Sequence, residues 1–145
     1  MLYPELEQKL KDEELVEGDL VWVTGYYHND YTEKPTRHVQ PTLVQIMSND
    51  KLPKYKKVYY ATYHFRACGK SGKLLAAVIA PYDNTGFRSR TGGSLDIFLT
   101  EDEAKAAYIT AANEVKIGIA KIKKIWSDRF DALLTEVDER IAKNK

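Results

Sequence analysis

Five residues of this chain are the first candidates for metal binding or catalysis: His28, Asp30, His38, His64 and Cys68. A histidine or cysteine binds a metal or takes part in catalysis only when further ligands, or a base, stand at a spacing that the fold brings together. Only Asp30 stands close to a histidine. A single cysteine excludes an intramolecular disulfide and a paired-cysteine metal site. We therefore interpret the histidines as surface or strand-packed residues and Cys68 as an incidental thiol, and we predict neither a metal site nor a cofactor.

Residues 67–71 (Ala-Cys-Gly-Lys-Ser) resemble the end of a phosphate-binding loop. The complete motif needs a glycine five residues before Gly69, and that position is His64. A phosphate loop also leads from a strand into a helix, whereas a second strand pattern follows here. We predict instead a hairpin turn over residues 69–72, because glycines enclose its two polar residues.

Basic residues are concentrated in the middle of the chain. Residues 51–95 contain nine basic residues and one acidic residue, whereas residues 1–20 contain two basic and seven acidic ones. Since the formal net charge is only +1, this block can focus a positive field on one surface. Within residues 51–73 aromatic and basic residues interleave, as on surfaces that stack nucleobases and neutralise phosphates. Residues 86–93 add two arginines among glycines, which suits phosphate or an acidic protein patch. The predicted binding residues are Lys54, Lys56, Lys57, Tyr59, Arg66, Lys70, Lys73, Arg88 and Arg90.

Each of these features has a second interpretation. The tyrosines of residues 51–73 could line a core, and residues 86–93 could be a flexible, solvated loop. An enzymatic alternative, a nuclease or a nucleotide-directed activity, would bring His28, Asp30 and the two arginines into one pocket. No serine, cysteine or carboxylate pair stands in a recognisable nucleophile pattern. We therefore predict a binding protein and not an enzyme.

The elements that position these residues follow from hydrophobic periodicity. Residues 4–15 predict a short helix, with Pro4 at a first helical position and a stop at Gly18 and Asp19. Strands are predicted at residues 20–27, 38–47, 57–66, 73–80 and 95–99. Five short strands over residues 19–99 favour a small antiparallel barrel, because closure removes exposed sheet edges. The chain is thus predicted to be one α+β domain spanning residues 1–145.

Two strand details can be predicted. Pro41 lies within the second strand and favours an edge or bulged position, since proline cannot donate to a neighbouring strand. In the third strand, alternation places His64 and Arg66 on one face and Tyr63 and Phe65 on the other. We therefore expect His64 to be solvated beside Arg66.

Residues 101–143 predict a long amphipathic helix. Thr100 and Glu103 form a capping-box pattern, and apolar residues then recur about every 3.7 positions. Forty helical residues measure about 60 Å, more than the diameter of so small a domain. The helix must project, break near Gly118 or residues 127–128, or pair with another copy, and we expect an overhang or a break. Its surplus apolar residues are predicted to dock a partner or a second copy: Trp126, Phe130, Leu133, Leu134, Val137 and Ile141.

Residues 18–23 (Gly-Asp-Leu-Val-Trp-Val), the five strands, and residues 97–108 (Ile-Phe-Leu-Thr-Glu-Asp-Glu-Ala-Lys-Ala-Ala-Tyr) resemble small SH3-like barrel proteins. The likeness is to accessory proteins of the T-even group of tailed bacteriophages and covers about residues 16–115. It implies a five-stranded SH3-like barrel without catalytic activity. It also implies a role in host takeover or counter-defence, through binding of a host protein or nucleic acid in the host cytoplasm.

The longest apolar run, residues 74–80, is far shorter than the roughly 20 residues of a membrane span. The acidic N-terminus lacks a signal-peptide pattern, so we expect a cytoplasmic protein without a membrane partner. The leading hypothesis is a binding protein that engages a host protein through its basic loop surface, with a possible homodimer through the long helix. The alternative is a nucleic-acid-binding protein that uses residues 51–73 with Arg88 and Arg90.

Overall fold

The computed structural model describes residues 1–27, 37–52, 61–79 and 95–145. Helix α1 spans Tyr3–Lys11, helix α2 spans Glu101–Lys143, and a 3₁₀ turn lies at Asn49–Lys51. The strands are β1 (Leu20–Tyr27), β2 (Arg37–Ser48), β3 (Tyr63–Cys68), β4 (Leu74–Ile79) and β5 (Asp96–Phe98). The predicted α+β class is therefore confirmed.

The five strands form one antiparallel sheet in the order β4-β3-β2-β1-β5. Strands β1 to β4 are sequential neighbours, and β5 returns to pair with the free side of β1. In the described residues β4 and β5 lie at opposite edges of the sheet, which is not closed into a barrel. The predicted closed barrel is therefore not confirmed.

Alternate strand residues form the buried face of the sheet, and α1 covers it. Tyr3 and Leu6 of α1 are both at most 1% exposed. The Tyr3 hydroxyl accepts a hydrogen bond from the Tyr63 amide (3.0 Å), so α1 is tied to β3 by a polar contact as well as by packing. The strand residues in this core are Val21, Val23, Val44, Ile46, Phe65 and Ile97.

Helix α1 ends at Lys11, so its predicted extent to residue 15 is wrong. Glu13 adopts a left-handed backbone conformation (φ 58°), and the Lys9 amine turns to the Glu14 carboxylate at 2.6 Å. The acidic residues 12–14 would lie at the negative end of a longer helix dipole, where they are unfavourable. The helix therefore stops before Gly18 and Asp19 are reached.

The irregularity predicted at Pro41 is present, whereas the bounds of β3 differ from the prediction. The register between β1 and β2 shifts between Val23 and Gly25, which places Pro41 in a bulge, one of the two predicted positions. Strand β3 was predicted to begin at residue 57. Residues 57–60 lie outside the described residues, and residues 61 and 62 are not part of the strand, which begins at Tyr63. The strand continues to Cys68, two residues past its predicted end.

Helix α2 begins as predicted. The Thr100 hydroxyl accepts from the Glu103 amide (3.3 Å), which is the N-cap bond of the predicted capping box. The same hydroxyl donates to the Glu103 carboxylate (2.9 Å), in place of the backbone amide that donates to it in a full capping box. The helix then runs unbroken for 43 residues, about 65 Å, so the predicted break is wrong and the predicted overhang is confirmed. Gly118 does not interrupt it. No described helix has the apolar length that crossing a membrane requires.

Replacing Leu6 by alanine tests whether α1 is part of the core. Leu6→Ala removes a fully buried side chain and should lower the free energy of unfolding by about 2–4 kcal/mol. Leu99→Ala is the matched control, because Leu99 is 57% exposed and its loss should cost about 0.5 kcal/mol or less. Urea unfolding measures both. Equal losses would show that α1 does not pack on the sheet.

Candidate functional site

Three of the nine predicted binding residues lie in the described part of the chain: Arg66, Lys70 and Lys73. His28 and Asp30 of the enzymatic alternative lie outside it, as do the other six binding residues: Lys54, Lys56, Lys57, Tyr59, Arg88 and Arg90. The described part of the candidate site thus consists of strands β3 and β4 and the turn that joins them.

The turn between β3 and β4 is the hairpin that residues 69–72 predict. The Gly69 amide donates to the Lys73 carbonyl and the Gly72 amide donates to the Gly69 carbonyl, both at 2.8 Å. Gly72 has a positive φ of 80°, which glycine adopts without strain. Lys70 and Lys73 are both exposed. The turn therefore presents two ammonium groups to solvent and does not form a phosphate loop.

Arg66 lies on β3 between Gln45 of β2 and Val78 of β4. Its Nε donates to the Leu75 carbonyl at 2.8 Å, which fixes the guanidinium against β4. The same side chain lines an open cleft together with Glu17 and Lys51. The guanidinium is thus held in place at the sheet surface.

Glu17 compensates part of the positive charge of this cleft. Its carboxylate lies 2.6 Å from the Lys51 amine and accepts from the Ser48 amide at 2.9 Å. These two hydrogen bonds, that to Lys51 first, lower the pKa of the Glu17 carboxyl below its usual range. Nothing in the sequence indicated this pair, because the two residues are distant along the chain. Lys51 therefore adds little free positive charge next to Arg66.

Strand β4 exposes apolar side chains beside the lysines. Leu74 is 37% and Leu75 is 45% exposed, and Ala76 and Ala77 are exposed as well. An all-apolar strand is normally covered on both faces. Among the described residues β4 pairs only with β3. We call the surface formed by Lys70, Lys73, Leu74 and Leu75 the β4 edge.

The aromatic residues of β3 do not lie on this surface. Phe65 is fully buried in the core, and Tyr63 is partly buried against it. Stacking of nucleobases needs exposed aromatic faces. In the part of residues 51–73 that the structure describes, the core interpretation of the aromatics is therefore correct.

His64 is buried, with 1% exposure, so its predicted solvation is wrong. It lies opposite Met47 of β2, on the other side of β3 from Phe65, and both sides of β3 are covered at this point. Neither ring nitrogen has a hydrogen-bond partner among the described residues. Burial lowers the pKa of the imidazole. Alternation predicts which face a residue is on, but it does not predict whether that face is covered.

Cys68 is buried at the end of β3, and burial raises the pKa of its thiol. A thiol reacts as the thiolate, so this environment disfavours reactivity. Across the described ranges, no group of three or more His, Cys, Asp or Glu residues is arranged to hold a metal ion.

The outer part of α2 carries the second candidate surface. All residues from 123 to 145 are exposed. Ile125 in this part is 51% exposed, and six further large apolar side chains are between 51% and 65% exposed, namely Trp126, Phe130, Leu133, Leu134, Val137 and Ile141. These are the residues predicted as surplus to the core, and we call them the α2 stripe.

A ring cluster that the sequence did not indicate joins α2 to the sheet. The Tyr108 hydroxyl lies 3.0 Å from Nδ1 of His38, and the Tyr26 ring lies 5.2 Å from the Tyr108 ring. Desolvation raises the pKa of the Tyr108 hydroxyl. His38 is thus a structural contact of α2, and no spacing rule connects residues that lie so far apart in the chain.

Comparison of the chain with protein-family models, with curated proteins and with solved structures finds no match.

The burial of His64 predicts a pH-dependent stability. Its folded-state pKa lies below the ordinary value of 6.5, so the unfolded chain binds the proton first. Stability should be unaffected above pH 6.5 and should fall as the pH falls below it, by at most about 1.4 kcal/mol per pH unit. His64→Phe should reduce the slope of unfolding free energy between pH 7 and pH 5, measured by urea unfolding at each pH. An unchanged slope in this variant and in His64→Leu would contradict the prediction.

Proposed function

We propose that this protein is a non-enzymatic binding protein that engages a partner protein through the β4 edge. The observation that carries the proposal is the exposure of Leu74 and Leu75 directly beside Lys70 and Lys73. A surface that combines leucines with ammonium groups suits a protein segment with apolar and acidic side chains. Contact with such a segment removes apolar surface from water, which stabilises the complex by roughly 25 cal/mol for each Å² of apolar area buried.

The charge around this edge favours an acidic partner. Residues 51–82 contain no acidic residue, so no carboxylate of this segment competes for Lys70, Lys73 or Arg66. Glu17 in the neighbouring cleft is already bound to Lys51. Positive charge next to apolar surface raises the rate of association with acidic partners and disfavours basic ones.

The position of β4 supports a specific binding mode. Within the described residues β4 is the terminal strand of the sheet, and terminal strands can accept an added strand from another protein. Backbone hydrogen bonds then supply affinity, while the side chains of β4 supply selectivity. Arg66 strengthens this arrangement because its bond to the Leu75 carbonyl holds β4 in place.

The finer features of the proposal come from the resemblance to phage accessory proteins. The domain would be an SH3-like barrel that stays open between β4 and β5, so that β4 keeps a free side; the pairing of β5 with β1 beyond the β1–β4 meander is compatible with this. The partner would be a bacterial host protein, and the place of action would be the host cytoplasm. Takeover of a host process or counter-defence would follow from blocking that partner.

Capture from bacterial extract tests the proposal. The wild-type chain, immobilised and treated with nuclease, should retain a defined host protein. Lys70→Glu/Lys73→Glu should lose at least about 10-fold of it, because like charges then face the acidic partner. Lys143→Glu/Lys145→Glu is the matched control, since it makes the same charge change at the far end of α2 and should keep the captured protein.

The same proteins retained by all three chains would contradict the role of the β4 edge. The variant Leu75→Ser adds an independent measurement, since it removes apolar contact without changing the charge of the β4 edge. Thermal unfolding should show that each variant is folded before capture is compared.

Nucleic-acid binding is the second candidate, and the observation that favours it is that Lys70 and Lys73 are exposed and belong to a sequence segment, residues 51–82, without acidic residues. Phosphate contacts release counterions, so affinity for a mixed oligonucleotide should fall steeply with salt. Lys70→Glu/Lys73→Glu should reduce the slope of log K against log salt by about 2, because two phosphate contacts are lost. Filter binding measures this slope. Absence of binding at low salt to both single- and double-stranded oligonucleotides would exclude this function.

A further inference from the structure

The apolar residues of α2 follow a more regular spacing than an amphipathic helix requires. Successive apolar positions are separated by steps of 3, 4 and 4 residues, repeated three times from residue 108 to residue 141. An 11-residue repeat corresponds to 3.67 residues per turn, which keeps the apolar residues on one side of an almost straight helix. The residues of the repeat are Tyr108, Ala111, Val115, Ile119, Ile122, Trp126, Phe130, Leu133, Val137 and Ile141.

The pattern is also symmetric about Trp126. The apolar positions 4, 7 and 11 residues before it are Ile122, Ile119 and Val115. The positions 4, 7 and 11 residues after it are Phe130, Leu133 and Val137. A helix with this symmetry can pair with a copy of itself running in the opposite direction, so that the apolar residues of the repeat on either side of Trp126 meet one another.

Charges on either side of Trp126 are opposite in sign. Residues 116–124 carry four lysines and no acidic residue, whereas residues 128–139 carry five acidic residues and one arginine. Antiparallel pairing centred on Trp126 places each lysine-rich segment beside an acidic one. Parallel pairing places like charges together, which is unfavourable. A different antiparallel centre, between residues 131 and 132, also matches apolar positions but sets most of the lysine-rich segment against residues 139–145, which carry three basic residues and one acidic one.

In the part of the chain that the structure describes, the outer part of α2 lacks intramolecular support. The β-sheet contacts α2 through β1, β2 and β5, and every residue after Ile122 is exposed. Isolated helices in water are marginal, and most helical stability comes from packing of an apolar face. The ion pairs Lys124–Asp128 and Arg140–Glu136 each contribute only about 0.2–0.5 kcal/mol.

The apolar area available on this part of α2 suits a dimer. Six apolar side chains that are about half exposed supply on the order of 600 Å² per chain. A stable interface buries about 800 Å² per partner, and the stems of the flanking lysines and arginines can supply the difference.

We infer that two copies of this chain pair through antiparallel α2 helices centred on Trp126. The layers of the interface are Trp126 against Trp126, Ile122 against Phe130, and Ile119 against Leu133, each formed between the two copies. The lysine-rich segment of each copy faces the acidic segment of the other. This inference goes beyond the proposed function and does not rest on it, because the β4 edge is not part of the paired surface.

Sedimentation of the purified full-length chain tests the pairing. At a protein concentration on the order of tens of micromolar, the measured mass should be twice that of the 16.6 kDa chain. Trp126→Glu should raise the dissociation constant on the order of 100-fold, because a symmetric dimer carries the substitution twice at the centre of its interface. Thr135→Glu is the matched control, since residue 135 lies on the opposite side of the helix and is exposed. A wild-type chain that is monomeric at all concentrations overturns the inference.

Cysteine cross-linking tests direction and register. Ile119→Cys mixed with Leu133→Cys, one of them carrying a larger tag, should give a heterodimeric disulfide, while neither variant alone should cross-link. The wild-type chain is the blank, because its only cysteine, Cys68, is buried. Cross-linking of each variant with itself would indicate parallel helices and would overturn the inference. Cross-linking of Phe130→Cys with Leu133→Cys, without cross-linking of the first pair, would indicate the antiparallel centre between residues 131 and 132 and would overturn it as well. Circular dichroism verifies that each variant is helical.

Capture by the β4 edge separates the two proposals. A monomeric Trp126→Glu variant that still retains the host protein supports independent surfaces. A monomeric wild-type chain that retains the host protein overturns only the dimer, and a dimer that retains nothing overturns only the proposed function.

Discussion

Ala104 is the one residue of α2 that is fully buried, among those the structure describes, and the rest of the helix depends on how it is held there. A small side chain lets the helix backbone approach the sheet closely. One turn later, Tyr108 contacts His38 and Tyr26, and this ring cluster sets the direction in which the helix leaves the domain. The sheet is too small to follow a helix of about 65 Å, so its outer half extends into solvent.

Because the outer half of α2 extends away from the sheet, the molecule has two separate surfaces with different physical character, the β4 edge and the α2 stripe. The β4 edge combines positive charge with leucines, and Arg66 stiffens it by bonding across the strands. The α2 stripe is apolar and is flanked by segments of opposite charge. In the proposed dimer the two β-domains would lie at opposite ends of the helix pair, so a partner with two sites could be bound with higher avidity.

Polar groups are placed so that the two surfaces remain independent. Glu17 is bound by Lys51 and the Ser48 amide, which holds its charge in the cleft. Burial lowers the pKa of His64, because it disfavours the protonated imidazole. Tyr3 joins α1 to β3, so the covered face of the sheet does not take part in either surface. Stability and binding can therefore be altered by separate substitutions.

Local patterns in the sequence determined the elements: the strand at Leu20–Tyr27, the hairpin at residues 69–72, the cap at Thr100 and the exposed stripe from Trp126 to Ile141 were predicted from spacing and residue type. Helix α1 was predicted too long, since the pattern did not weigh Glu13 and its acidic neighbours against the helix dipole. Tertiary structure alone decided that His64 is buried, that Leu74 and Leu75 are exposed, and that His38 meets Tyr108. The physical reason is that periodicity orders residues along one element, whereas burial depends on which other elements lie above each face, and those contacts join residues that no local pattern relates.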